Sequence, residues 1–379
     1  MTRRLYYEDS HLRSFTAQVT GCVRTDKGWE VTLDATAFYP EGGGQPCDLG
    51  TLGCAIVLDV QERGEEVIHL CDAPVEGTVD GTIQWDRRFD LMQQHTGEHM
   101  VSGVVCARYG WHNVGFHMGS EMITIDFDGP IPAEDLPGIE AQVNAYIWQD
   151  LEICCDVPTP EELPHVVYRS KRALPWPVRI VTIPGVDSCA CCGVHTKTTG
   201  EVGLVKLFSC VKFHQGVRIE MACGGRAMGI LNEVYRQNRL VSQAFSAKIL
   251  ATGEAARQMN ERLTAAEYKI VTLERQIFDY IASSYAGKGD VVHFQEDLRP
   301  DQVRELADRI ASACGGTAAV FSGTGSGHTM CLVSKNGDVK ALGKALCDAL
   351  DGRGGGKPGY FQGSVKAGQD EIQAFFREL

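Results

Sequence analysis

Over residues 1–88 apolar and polar positions alternate in short runs. TAQVTGCV, EVTLDAT and EEVIHLC are separated by turn-forming Gly and Asp. Period-two alternation marks half-buried strands, and several short strands at this spacing predict a small β-barrel. The run EGGG at 41–44 breaks the pattern. Three consecutive glycines are costly to order and mark a tight turn or a close backbone approach. From Phe89 to about Arg108 the period becomes helical, because Phe89, Met92, His99, Met100 and Val104 recur at spacings of three, four or seven. A strand is predicted at 122–127 (MITIDF) and a helix over roughly 135–151. Short strands with Gly-rich turns then run to about 225.

Residues 226–282 predict one long helix or a helical hairpin. Ala256, Met259, Leu263, Ala266, Ile270, Leu273, Ile277 and Tyr280 fit an a/d heptad register, which favours a coiled-coil arm. GKGD at 287–290 marks a linker. Beyond it VRELADRIASACG, TAAVFSG, HTMCLVSK and VKALGKALCDAL alternate helix with strand, the pattern of an α/β domain with its own core. A second glycine run, DGRGGGKPGYFQGS, follows. The expected fold class is α+β in four parts. These are a β-barrel (1–88), an α+β domain (89–225), a helical arm with its linker (226–288) and a C-terminal α/β domain (289–379).

Composition narrows the function classes. With 44% hydrophobic and 22% charged residues in 379, the chain can bury real cores in two or three domains. Its start, MTRRLYYEDSHL, has no apolar signal region, and no apolar run is long enough for a bilayer, so the expectation is a cytoplasmic protein with no membrane partner. Fifteen cysteines are too sparse for a disulfide scaffold of this length. A net charge of −13 argues against bulk coating of nucleic acid, and no DNA partner is expected. One acid-free stretch, YRSKRALPWPVR, gathers Arg169, Lys171, Arg172 and Arg179, a candidate local track for phosphates.

Two short spacings carry the chemistry. His95 and His99 in HTGEH stand four apart and share one helix face, so both imidazoles can point at one ion. In CCGVH, Cys191 and His195 have the spacing of a zinc half-site, with Gly193 allowing the turn. Imidazole and thiolate are the ligands zinc prefers, and two half-sites together are far more specific than either. Spacing alone leaves Cys189, Cys191 and Cys192 all open as the thiol. HTGEH also fits H-x-x-E-H, the signature of one zinc protease class, with Glu98 as general base. A Cys/His half-site that such a protease does not need weighs against that alternative. A non-catalytic RNA-binding protein with structural zinc is the other.

Five segments, in order, resemble the editing and C-terminal domains of alanyl-tRNA synthetase. They are TAFYPEGGGQPCDLG (36–50), WDRRFDLMQQHTGEH, CCGVHTKTTGEVG, FHQGVRIEMACGGRA and GRGGGKPGYFQGS. No counterpart of the aminoacylation domain is present, so the chain resembles the long AlaX-type editing proteins. The resemblance implies a trans-editing hydrolase that deacylates mischarged tRNA(Ala), seryl- or glycyl-tRNA(Ala), in the service of translation fidelity. It puts the zinc on His95, His99, Cys191 and His195. It puts Thr36 on the threonine that contacts the misacylated amino acid, Gly42, Gly43 and Gly44 around the substrate's end, and Gln45 on the motif's closing glutamine. Glu98 and Gln45 are candidates to orient water. Arg169, Lys171, Arg172, Arg353 and Lys357 are the expected phosphate contacts. The a/d stripe implies a homodimer through the arm, the C-terminal domain, or both. Thr36→Val keeps the side chain's shape, so the fold is expected to survive it. The chain departs from the family at Cys192, where Gly is common, and at Val194, where Thr is.

Overall fold

The computed structural model describes residues 1–170 and 174–378. It divides into two compact units, Met1–Leu240 and Val241–Leu379, with the boundary inside helix Gly224–Ala244.

In the first unit, strands Ser14–Thr25, Gly28–Leu33, Glu66–Cys71, Ala55–Arg63, Gly50–Leu52 and Thr78–Ile83 close, in that order, into an antiparallel barrel. Its inward positions are the apolar members of each alternation, such as Val31 and Leu33, Val57 and Val60, and Val67 and Cys71. The long helix Trp85–Tyr109 leaves the barrel and ends at Gly110, a left-handed cap whose N–H returns to the Cys106 carbonyl. The helix packs with helix Leu136–Trp148 against a four-stranded antiparallel sheet, ordered Val205–Phe213, Gly216–Cys223, Ile123–Phe127, Asn113–Met118. Val101, Val104, Ile139, Ile125 and Ile219 lie in the core between them. A smaller sheet, Cys154–Asp156, Ile180–Ile183 and Asp187–Ala190, completes the unit.

Along helix Trp85–Tyr109 the buried side includes Arg88, Gln94, His95, Thr96, Glu98, His99 and Ser102 as well as apolar residues. Buried polar groups in such number require partners, which identifies this helix as the one that builds a site.

The second unit carries a five-stranded sheet in the order Gly289–Phe294, Gly315–Thr324, Gly327–Ser334, Tyr360–Val365, Arg353–Lys357. Its first pair is parallel and the others are antiparallel. The second glycine run is therefore not a tail: it forms a hairpin whose outer strand, Arg353–Lys357, is exposed throughout. Helix Thr252–Ser284 contributes Phe278 and Ala282 to the core of this unit. The rest of its a/d stripe faces outward, with Leu263, Ile270, Leu273, Ile277 and Tyr280 all exposed. The helical stretch 226–282 is broken at residues 245–251, which separate helix Gly224–Ala244 from Thr252–Ser284. Among the described residues no helix is long and apolar enough to cross a membrane.

Candidate metal centre

Helix Trp85–Tyr109 supplies two groups and the loop after strand Asp187–Ala190 supplies two more. The ligand atoms of His95, His99, Cys191 and His195 all lie within 4.8 Å of one another. The three imidazoles are 2–3% exposed. Cys191 Sγ is 3.4 Å from His95 Nε2 and 3.5 Å from His195 Nε2. A tetrahedron with metal–ligand arms of about 2.0–2.3 Å has edges of about 3.3–3.8 Å, so this spacing suits a tetrahedral ion such as zinc.

What lies behind each ring strengthens that fit. Gln45 Oε1 accepts from His95 Nδ1 at 2.8 Å. Thr96 Oγ1 stands 3.2 Å from His195 Nδ1. Asp187 Oδ2 stands 3.2 Å from His99 Nδ1. Every Nδ1 therefore faces a protein oxygen. With the ring hydrogen held there, the Nε2 lone pairs of His95 and His195 are left for an ion, the arrangement metal-ligating histidines favour, while His99 Nδ1 makes a close charge contact with Asp187 but no hydrogen bond of good geometry.

The electrostatics point the same way. Burial pushes the Cys191 thiol up, but the neighbouring His95 and His99 imidazoles outweigh it and hold the thiol well below its usual range. Burial would lower His99, yet the Cys191 thiolate and the Asp187 carboxylate raise it well above the ordinary imidazole value. Burial, then the neighbouring His95, lowers His195 to about 3, so its ring is neutral and free to ligate. A thiolate and a carboxylate thus surround a point where a cation is electrostatically welcome. Of the three thiols left open by spacing, Cys191 lies in this four-residue cluster. Cys189 joins His99 and Asp187 in a separate group, and Cys192 is in neither.

The glycine run reaches the cluster. Gly42 and Gln45 exchange both backbone hydrogen bonds, and the two residues between them, Gly43 and Gly44, have φ of 60° and 83°. Two successive positive φ values define a tight hairpin turn that glycine alone adopts freely. A Cβ on Gly43 would lie 2.9 Å from Cys192 Sγ, and one on Gly44 2.8 Å from Phe116, whose ring stacks on His95. Both reasons for a glycine run, the turn and the close approach, apply here. Arg88, fully buried, pins this segment. Its Nε donates to Asp48 at 2.8 and 2.9 Å, and its other nitrogens reach the Ser10 and Ala37 carbonyls at 2.9 and 2.5 Å.

Several sequence expectations change. Gln45 is fully buried, and its Oε1 serves His95 and the Val194 N–H. Thr36 is also fully buried. His69 Nδ1 donates to the Val31 carbonyl, so its Nε2 accepts the Thr36 hydroxyl proton at 2.8 Å, while Thr36 Oγ1 accepts the Phe38 N–H at 3.1 Å. One Thr36 lone pair remains for any other contact. Glu98 Oε1 accepts from Ser102 at 2.6 Å and from Asn113 Nδ2, while its Oε2 lies 3.8 Å from His99 Nε2.

The Arg169 guanidinium, expected at a phosphate, grips Asp187 with two bonds of 2.7 Å through Nε and Nη2. Arg179 is likewise engaged, donating to the carbonyls of Cys191 and Gly193 at 2.9 and 2.8 Å. Lys171 and Arg172 lie outside the described residues. Sequence reasoning missed Asp187 and Thr96. Period-two alternation puts Asp187, Cys189 and Cys191 on one face of the strand and its continuation, a signal that could have found Asp187.

Residues 178–220 match the family described as threonyl and alanyl tRNA synthetase second additional domain, and residues 285–379 match the DHHA1 domain. The alanyl-tRNA editing protein Aarsd1-B of Xenopus laevis is 29% identical over 357 residues, covering 91% of this chain and 86% of that protein. Alanyl-tRNA editing protein AlaX-L of Pyrococcus horikoshii is 28% identical over 394 residues, covering 98% and 96%. An alanine–tRNA ligase of Ignicoccus hospitalis is 32% identical over 381 residues, which are 94% of this chain but 40% of the ligase. The chain is a homologue of the alanyl-tRNA editing proteins along nearly its whole length, with a second additional domain and a DHHA1 domain in one polypeptide.

Proposed function

We propose that this protein hydrolyses the ester of mischarged tRNA(Ala), carrying serine or glycine, at a zinc ion held by His95, His99, Cys191 and His195. The observation that carries the reading is the convergence of three Nε2 atoms and one thiol, each imidazole backed at Nδ1, beside a glycine turn. Its physical need is plain: a synthetase pocket built for alanine rejects glycine or serine by only about 1–3 kcal/mol, so a second, hydrolytic site restores accuracy.

Bound zinc supplies positive charge for an ester carbonyl or amino group and acidity for water. His95, His99, Cys191 and His195 would hold the ion with four protein ligands, and a reacting group would need a further position on it. The chain's own groups do the rest. Gln45 orients His95, and its Nε2, buried with no partner among the described residues, is the donor we assign to the incoming ester or its water. The turn Gly42–Gly43–Gly44 brings its backbone against Cys192 and Phe116 beside the cluster, where we place the substrate's end. Thr36 is assigned to the seryl hydroxyl through its remaining lone pair, which, with Thr36 fully buried, requires the pocket to open around it when substrate binds. The exposed strand carrying Arg353 and Lys357 is the proposed phosphate contact, a local and salt-sensitive one. The outward stripe of helix Thr252–Ser284 is the proposed dimer seam. We retain the four-part division at 88, 225 and 288 and a cytoplasmic location as parts of this proposal.

Purified protein incubated with seryl-tRNA(Ala), alanyl-tRNA(Ala) and an unstructured peptide tests it. Release of serine, with alanyl-tRNA spared and the peptide intact, is expected. Peptide cleavage without deacylation would return the protease reading, and tRNA binding without any release the non-catalytic one.

A further inference from the structure

The three imidazoles are not backed alike. His95 meets a neutral amide and His195 a hydroxyl, but His99 meets a carboxylate. That carboxylate is Asp187, 2% exposed at its side chain, and it is held by a bidentate guanidinium from Arg169, 18% exposed. Both Arg169 bonds measure 2.7 Å, and one of the two carboxylate oxygens also faces His99 Nδ1. Arg169 is itself fixed by its main chain. Its N–H donates to the Ser188 carbonyl at 2.7 Å and its own carbonyl accepts from Ala190 at 2.9 Å, so it lies as a bridge beside the strand that leads to Cys191. One helical turn past His99 stands Gly103. A Cβ there would come within 2.3 Å of the Val186 carbonyl and 2.8 Å of Asp187 Cβ, so the missing side chain lets Asp187 reach the helix.

We propose that Arg169 and Asp187 are a positioning pair for His99, the guanidinium fixing the carboxylate and the carboxylate fixing the imidazole so that Nε2 stays on the metal. The inference rests on the zinc reading of the four-residue cluster and deepens it. A fork-shaped donor is needed because it sets the plane of the carboxylate, not merely its charge. A lysine at 169 would keep the charge and lose the plane. The pair also explains why an arginine in a basic stretch is turned inward.

The test is zinc affinity of the full chain, read by competition with a chromogenic chelator and, separately, by the absorption bands of the cobalt-substituted protein. Asp187→Asn, nearly isosteric, is expected to weaken zinc about 10–100-fold and to shift the cobalt bands. Arg169→Met should weaken it in the same direction, and Arg169→Lys should fall between parent and Met. The double variant should be no weaker than the worse single one, because the two residues act through one contact. Arg218→Met removes a bidentate pair of the same kind with Asp126 and should leave affinity unchanged. A parent that binds no zinc would overturn the metal reading itself. A parent that binds zinc, with Asp187→Asn equally tight or Arg169→Lys equal to the parent, would overturn the positioning role alone. Unfolding of Arg169→Met leaves Asp187→Asn and Arg169→Lys to decide.

Discussion

Thr36→Val keeps the shape of a buried side chain and removes one hydroxyl, and its effect can be worked from the barrel. The variant strands two groups at once, His69 Nε2 and the Phe38 N–H, both of which the Thr36 oxygen now serves. Thr36 and Phe38 are 0% exposed and so is His69, so no water replaces the lost partner. An unsatisfied buried group costs about 1–3 kcal/mol. Two of them, partly offset by an added methyl, give a loss of about 3 kcal/mol. In a unit of 240 residues that lowers the melting temperature by about 6–12 °C. The fold is still expected to survive the change, as shape alone implies, but at lower stability. Thr36→Ser is the control, because it keeps the hydroxyl and loses a methyl, at a cost of about 1 kcal/mol. Thermal unfolding of parent, Thr36→Ser and Thr36→Val at saturating zinc is the assay. If Thr36→Val melts with or above Thr36→Ser, the hydroxyl is not engaged in the barrel and the inward hydrogen-bond assignment is refuted.

Three further outcomes are expected. Gly193→Ala places a Cβ 2.1 Å from His95 Cε1 and 2.4 Å from its Nδ1, so zinc per chain by elemental analysis should fall, while Gly225→Ala, with nothing within 4 Å, should not change it. His69, held by burial at about 4, cannot take the proton that the unfolded chain accepts near 6.5. Its contribution to stability is therefore complete above pH 6.5 and lost as pH falls to about 4. Across that window urea unfolding should show a loss of about 3 kcal/mol that His69→Gln flattens. Light scattering at micromolar concentration should give the mass of a dimer, and Leu263→Glu with Ile270→Glu on the exposed stripe should give a monomer. A monomeric parent would remove the seam.

Elements with a strong period were legible in the sequence. Phe89 to Arg108 was read as a helix because its apolar spacing is helical, and Trp85–Tyr109 is one. The strand at 122–127 and the helix at 135–151 correspond to Ile123–Phe127 and Leu136–Trp148. EGGG was legible as a turn because only glycine tolerates two positive φ values in succession. Contacts that join distant residues without a periodic trace were not legible. Asp187 meets His99 from 88 positions away and Thr96 meets His195 from 99. Arg169 looked like a phosphate contact because its own stretch holds no acid, and its acid lies 18 residues on. The hydroxyl of Thr36 looked free because nothing near it in sequence competes for it, and His69 stands 33 residues away. RGGGK has the composition of a loop but becomes a strand through pairing with Tyr360–Val365, which tertiary structure imposes over propensity.

The central claim is that one ion at this cluster serves ester hydrolysis on mischarged tRNA(Ala). It is tested most directly by serine release from seryl-tRNA(Ala) by the full chain as purified, after removal of metal with a chelator, after return of one equivalent of zinc, and for Cys191→Ala. Release by the purified chain, its loss with the metal, its recovery on adding zinc, and little or no release by Cys191→Ala is the expected result. Undiminished release by metal-free protein, or by Cys191→Ala with no bound zinc, would contradict it.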